Sequence, residues 1–202
     1  ELICIQCQID LPLTHFNLRL SNPVSNAFAG RVPLLRAAAF LHFQQGGLVQ
    51  NLLHLLKYKN KPEVGHYLGA YAAQSWQKGV FFRSVDYLVP VPLHPDKEKK
   101  RGYNQALKIV EGLSQLSEIP VADALFRTHA SSSQTRKGRY DRYLNVNQIF
   151  ALKPTWQKNL TGKHLLVVDD VLTTGSTVEG CLLALQAVSK VKLSVFTIAY
   201  AQ

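Results

Sequence analysis

The chain has 202 residues, 47% of them apolar, which suffices for one α/β domain with a small appendage and excludes a disordered chain. No apolar run approaches the ~18 residues of a membrane-spanning helix, and Glu1 to Asp10 lacks the basic leader and apolar stretch of a secretory signal. A formal net charge of +10 points to anionic partners, either nucleic acid or polyphosphate metabolites.

The chain opens at Glu1 and contains no methionine, so a preceding segment is expected. Cys4 and Cys7 form a Cys-x2-Cys pair, half of a metal site rather than a disulfide framework, and a reducing, cytoplasmic compartment fits best. Residues 1–40 read as an irregular appendage punctuated by Pro12, Pro23, Gly30 and Pro33, and residues 41–202 as the main domain.

Leu48, Leu52, Leu55 and Leu56 recur at helical spacing over Gly46 to Tyr58, and a second helix is expected over Pro62 to Gln77. Tyr87 to Pro92 reads as a short buried strand, Lys97 to Arg101 as a basic turn, Asn104 to Leu116 as a helix and Ile119 to Val121 as a short strand. His129 to Asn147 is polar, Arg-rich and without period, as functional or disordered loops are. His164 to Val168 is the clearest buried strand, Ser176 to Val188 its helix, and Val191 to Ala199 a last strand. Strands alternating with helices imply an α/β fold with a doubly wound, mostly parallel sheet.

The chemistry concentrates in LLVVDDVLTTGSTVEG, Leu165 to Gly180. Asp169 and Asp170 fall at the carboxyl end of a strand, where open α/β sheets bind ligands. Thr173, Thr174, Gly175, Ser176 and Thr177 follow, small residues that let backbone N–H groups and hydroxyls approach a phosphate at a helix N-terminus. The carboxylates suit a ribose diol better than phosphate oxygens. Phosphate and diol together describe a phosphoribosyl group. Neither GxxxxGK[ST] nor a GxGxxG after a strand occurs, which excludes the P-loop and dinucleotide readings.

The run Leu165 to Thr177 resembles the signature of type I phosphoribosyltransferases, and LVPVPLHPDKEKKRGYNQA, Leu88 to Ala106, resembles the ComF competence family, relatives of glutamine amidophosphoribosyltransferase. The Lys57-Tyr-Lys element, the TRKGR stretch and the N-terminal cysteines are similar as well. The resemblance implies phosphoribosyl pyrophosphate as ligand, held with Mg²⁺, and transfer of the phosphoribosyl group to a nitrogen nucleophile. It implies that Asp169 and Asp170 hold the diol, residues 173–177 the 5-phosphate, and Arg101, Asn104 and Gln105, with Lys57 and Lys59, the pyrophosphate.

It further implies that residues 128–147, carrying Arg136, Arg139 and Arg142, form a lid that excludes water from the activated sugar and assists catalysis. Relatives carry a second cysteine pair upstream, so Zn²⁺ on Cys4 and Cys7 is expected in the intact protein only. The competing reading is a non-catalytic module in DNA uptake that binds single-stranded DNA or uptake proteins through the basic loop; a homodimer fits either. Lys57 and Lys59 also suit the negative end of a helix, Arg101 a solvated turn, His94 the surface and Cys181 a core position.

Overall fold

The computed structural model describes residues 2–77, 79–128 and 149–201. Short helices α1 (Ile5–Ile9) and α2 (Pro23–Asn26) precede strand β1 (Arg36–His42), then helices α3 (Leu48–Tyr58) and α4 (Pro62–Trp76). Strand β2 (Tyr87–Pro90) leads through α5 (Pro95–Arg101) into α6 (Gln105–Ser117). Next come β3 (Leu125–Arg127), β4 (Phe150–Leu152), β5 (His164–Leu172), α7 (Ser176–Gln186) and β6 (Lys192–Tyr200).

Among the described residues β1, β6, β5 and β2 stand side by side in that order in one sheet, every pair parallel. Such strands are covered on both faces and read as continuous apolar runs. Leu166 and Val168 of β5 pack toward Leu56 of α3, Leu68 of α4 and Ile109 of α6. Leu165 and Val167, one residue out of phase, pack toward Val178 and Leu182 of α7 and Phe28 of the N-terminal segment. The α/β, doubly wound parallel fold expected from the sequence is the fold observed. No described helix is long and apolar enough to cross a membrane.

Several elements differ from the sequence expectation. β1 had not been anticipated, because Ala37, Ala38 and Ala39 are weak strand formers; they are extended here because all three are buried between the helical layers. The strand crosses the boundary drawn at residue 40, and Leu11, Val24, Phe28 and Val32 from before it enter the cores. Lys97 to Arg101 is not a turn but part of α5. That helix starts on His94 and Pro95, carries Asp96 and Glu98 in its first turn and Lys99, Lys100 and Arg101 in its last, and stops at left-handed Gly102. Val121 makes only an isolated bridge to Leu88. β5 continues through Leu172, so Asp169 and Asp170 lie within its carboxyl-terminal part.

α4 and α6 touch backbone to backbone. A Cβ on Gly69 would come within 2.1 Å of the Ile109 carbonyl oxygen, and one on Gly112 within 2.0 Å of that of His66. This crossing seats α6, and with it the α5–α6 turn, beside the carboxyl end of β2.

Candidate functional site

The site grows from β5. After Leu172 the chain turns through residues 173–175 into α7, with Gly175 as N-cap at φ +80°. Its missing side chain matters twice: L-residues rarely adopt this conformation, and a Cβ would sit 3.2 Å from two ring carbons of Phe28. Gly175 is buried, whereas Thr173, Thr174, Ser176 and Thr177 are exposed. Thr174 Oγ1 and Ser176 Oγ lie 3.1 Å apart. Gly175 offers no side-chain acceptor to the first-turn amides; the Ser176 amide donates to Thr174 Oγ1 at 3.5 Å, and the remaining first-turn amides, with the positive end of the helix dipole, can meet an anion. Arg31 reaches over from the N-terminal segment and pairs with Glu179 at 2.6 Å, drawing the one first-turn acid of α7 aside.

The two acids share the strand but not its faces. Asp169 lines the small concavity formed by residues 171–178. Its Oδ1 accepts the Asp170 amide at 2.8 Å. Burial, and then the charge of Asp170, push its carboxyl up to about 8. Asp170, one residue on, turns toward α3, where Lys57 Nζ meets its Oδ2 at 2.8 Å. The alternation of a strand imposes this split.

Of the residues expected at a pyrophosphate, Lys57 meets Asp170 and Arg101 lies over Tyr58 at the end of α3. The Arg101 guanidinium stacks over the Tyr58 ring at 5.4 Å and donates through Nη1 to Gln105 Oε1 at 2.7 Å. Gln105, 3% exposed, donates in turn to the Tyr103 carbonyl, and the Tyr103 hydroxyl donates to the Leu56 carbonyl. Asn104 caps α6 by accepting the Ala106 amide at 2.9 Å and donates to the Val91 carbonyl at 2.9 Å. Asn104 and Gln105 are thus engaged within the chain and hold the turn after β2 in place. Lys59 is exposed. His94 caps α5, accepting the Asp96 amide.

Arg136, Arg139 and the rest of the expected lid up to Asn147 lie outside the described residues, apart from Thr128. The strands on either side pair antiparallel as β3 and β4, and Phe150 of β4 packs against Gly180 of α7, where a Cβ would meet its ring at 2.8 Å. Cys181 occupies the core beneath the loop, and burial raises its thiol well above the ordinary value.

Cys4 caps α1 and its sulfur accepts the Cys7 amide at 3.5 Å. That amide, and then the Cys7 thiol, lower the pKa of Cys4, while Cys7 is raised. Among the described residues no third ligand joins them, and two sulfurs do not close a tetrahedral zinc site.

Two contributors went unread in the sequence. Phe28, the buttress of Gly175, is one of three phenylalanines in a segment without periodicity. Tyr58, the plate beneath Arg101, sits inside the Lys57-Tyr-Lys element, where the two lysines carry the stronger signal.

No protein-family model matches the chain. The DNA utilization protein YhgH of Escherichia coli (strain K12) is 28% identical over 180 residues, which is 87% of this chain and 74% of that protein. Competence protein F of Haemophilus influenzae is 33% identical over 91 residues, 45% of this chain and 39% of that protein. Competence protein ComFC of Bacillus subtilis is 33% identical over 90 residues, 45% of this chain and 34% of that protein. The chain is thus similar to proteins named for DNA utilization and for competence.

It matches well under half the length of the two competence proteins. Among solved structures, the glutamine phosphoribosylpyrophosphate amidotransferase of B. subtilis is similar with a TM-score of 0.47 and 15% identity, over 70% of this chain and 30% of that one. The adenine phosphoribosyltransferase of Leishmania tarentolae is similar with a TM-score of 0.43 and 10% identity, over 79% of this chain and 90% of that one.

Proposed function

We propose that the chain binds phosphoribosyl pyrophosphate with Mg²⁺ at the carboxyl edge of β2 and β5 and transfers the phosphoribosyl group to a nitrogen nucleophile. The observation that carries this reading is the β5–α7 loop. Exposed hydroxyls and the first-turn amides of α7 surround the buried, left-handed Gly175, with Asp169 lining the same concavity. These groups would hold the 5-phosphate, with Asp169 and Asp170 accepting from the ribose diol and Arg101 presenting its fork of donors to pyrophosphate. The oxygen donors of the two carboxylates fit Mg²⁺, which takes few protein ligands and completes its shell with phosphate oxygens and water. When bound it makes pyrophosphate a better leaving group. The chain's own residues then contribute position and electrostatic complementarity, with no covalent intermediate required.

Titration of the protein with phosphoribosyl pyrophosphate and Mg²⁺, with ribose 5-phosphate as a second probe, tests the reading. Both are expected to bind, and Asp169→Asn with Asp170→Asn to abolish both. A native chain that binds neither sugar phosphate overturns the reading. Pyrophosphate release on adding ammonia or nucleobases then tests transfer.

A second reading, a non-catalytic module for single-stranded DNA or uptake proteins, draws on the net charge of +10 and on relatives named for DNA utilization and competence. It predicts DNA affinity that falls steeply with salt and is indifferent to Asp170→Asn. Cys4 and Cys7 would hold Zn²⁺ only together with a further pair of ligands.

A further inference from the structure

Lys57 and Asp170 belong, by resemblance, to opposite ends of the ligand: the lysine to pyrophosphate, the acid to ribose. In the structure they hold each other. Lys57 leaves the last turn of α3 and its Nζ meets Asp170 Oδ2 at 2.8 Å, with side chains only 24% and 13% exposed. Solvent screens an exposed ion pair almost to nothing, but this one is largely withdrawn from water. Neither partner is placed by chance. Asp170 sits in the part of β5 that runs on alongside β6, two residues past the last pairing with β2 at Val168. The end of α3 is tied to the α5–α6 turn through the Tyr103 hydroxyl and the Leu56 carbonyl.

A phosphoribosyl ligand brings several negative charges to a strand end that holds two adjacent acids, Asp169 with its carboxyl pushed up to about 8 and Asp170 beside it. A bare carboxylate at Asp170 would repel the ligand. The strand's alternation separates the problem into two halves. Asp169 faces the phosphate loop, and Asp170 faces α3, where a cation waits for it.

We infer that Lys57 is the positioning residue of Asp170: it cancels the charge of that carboxylate and fixes its orientation for the sugar. The inference rests on the phosphoribosyl reading above and assigns Lys57 to the ribose end of the site rather than to pyrophosphate. Its role is felt through Asp170, at the diol. Arg101, stacked on Tyr58, and the exposed Lys59 are left for the pyrophosphate end.

The test is a set of calorimetric titrations with ribose 5-phosphate, inorganic pyrophosphate and phosphoribosyl pyrophosphate, each with Mg²⁺. The proteins compared are the native chain, Lys57→Met, Lys57→Arg, Asp170→Asn and Lys57→Met/Asp170→Asn. Lys57→Met is expected to weaken ribose 5-phosphate and phosphoribosyl pyrophosphate by the same factor, on the order of tenfold, and to leave pyrophosphate unchanged. Lys57→Arg keeps the charge and retains most of the affinity. The double variant binds no more weakly than Asp170→Asn alone, because the two residues act as one unit.

Loss confined to pyrophosphate and phosphoribosyl pyrophosphate, with ribose 5-phosphate spared, overturns the inference while leaving the phosphoribosyl reading intact. So does full additivity in the double variant. If the native chain binds neither sugar phosphate, the phosphoribosyl reading itself fails before any variant is compared, and the inference falls with it. Should Lys57→Met not stay folded, Lys57→Arg against Asp170→Asn carries the same comparison. Equal small shifts on both sugar ligands support the assignment, and a shift on pyrophosphate alone overturns it.

Discussion

Phe28 lies against Gly175, close enough that a Cβ on the glycine would come within 3.2 Å of two carbons of the ring. The N-terminal segment therefore supports the loop from beneath, and the loop's left-handed turn is enforced by backbone conformation and by packing at once. Gly175→Ala is expected to pay twice: about 1–2 kcal/mol for an L-residue at φ +80°, and about 1–3 kcal/mol for crowding Phe28. Gly162 separates the two contributions, since it also has positive φ, +72°, yet a Cβ there would meet nothing within 4 Å. Urea denaturation should show a clearly larger loss for Gly175→Ala than for Gly162→Ala, and ribose 5-phosphate affinity should fall in the former alone. Equal losses in the two variants would remove Phe28 from the argument.

Asp169 gives the protein a pH dependence of definite sign. Burial and the neighbouring Asp170 charge push its carboxyl up to about 8, whereas in the unfolded chain it titrates near about 3.9. Between these values the folded state holds a proton that the unfolded state has released. Its contribution to stability is fully present below about pH 4 and is lost as pH rises toward about 8. Asp169→Asn should flatten this fall, so that its urea midpoint gains on that of the native chain between about pH 5 and about pH 8. Parallel curves for the two proteins across that window would show that Asp169 titrates normally.

The parts of this architecture that were legible in the sequence are those whose burial leaves a periodic trace. Leu165 to Val168 is apolar on both faces because both faces are covered, and Leu48, Leu52 and Leu56 mark one stripe of α3. β1 left no such trace, since three buried alanines look alike in a strand, a helix or a loop. β3 and β4, three residues each, are too short to show alternation. α5 was hidden by its charges, which its caps and dipole organise but no hydrophobic stripe announces. At the candidate site the loop residues could be read from composition, because small residues in a row carry their own meaning. The divergence of Asp169 and Asp170 follows from the period of two once β5 is known to continue to Leu172. The Lys57 partner of Asp170 does not, because it arrives from a helix more than a hundred residues earlier in the chain.

The crossing of α4 and α6 is the least tolerant packing contact among the described glycines. A Cβ on Gly112 would lie 2.0 Å from the His66 carbonyl oxygen, and the obstacle is helix backbone rather than a flexible side chain. Gly112→Ala gains about 1 kcal/mol of intrinsic helix propensity, yet the two helices must separate to accommodate it. The net outcome is expected to be destabilising by roughly 2 kcal/mol, read as a lowered midpoint in thermal or urea unfolding. A neutral or stabilised variant would mean that the helices stand further apart than described.

Arg101 offers a test of the pyrophosphate part of the site, against the ribose part assigned to Lys57. Its guanidinium is stacked on Tyr58 at 5.4 Å and held by Gln105 at 2.7 Å, which leaves the rest of its donor fork to meet an anion. A lysine keeps the charge but loses the plane, the stack and the two-pronged geometry. Arg101→Lys is therefore expected to weaken pyrophosphate and phosphoribosyl pyrophosphate by about tenfold and to spare ribose 5-phosphate, the reverse of the pattern for Lys57→Met. Tyr58→Leu removes only the plate and should produce a smaller loss of the same kind. If Arg101→Lys instead weakens ribose 5-phosphate as much as pyrophosphate, Arg101 does not mark the pyrophosphate end, and the division of the site between the α3 terminus and the α5–α6 turn is lost.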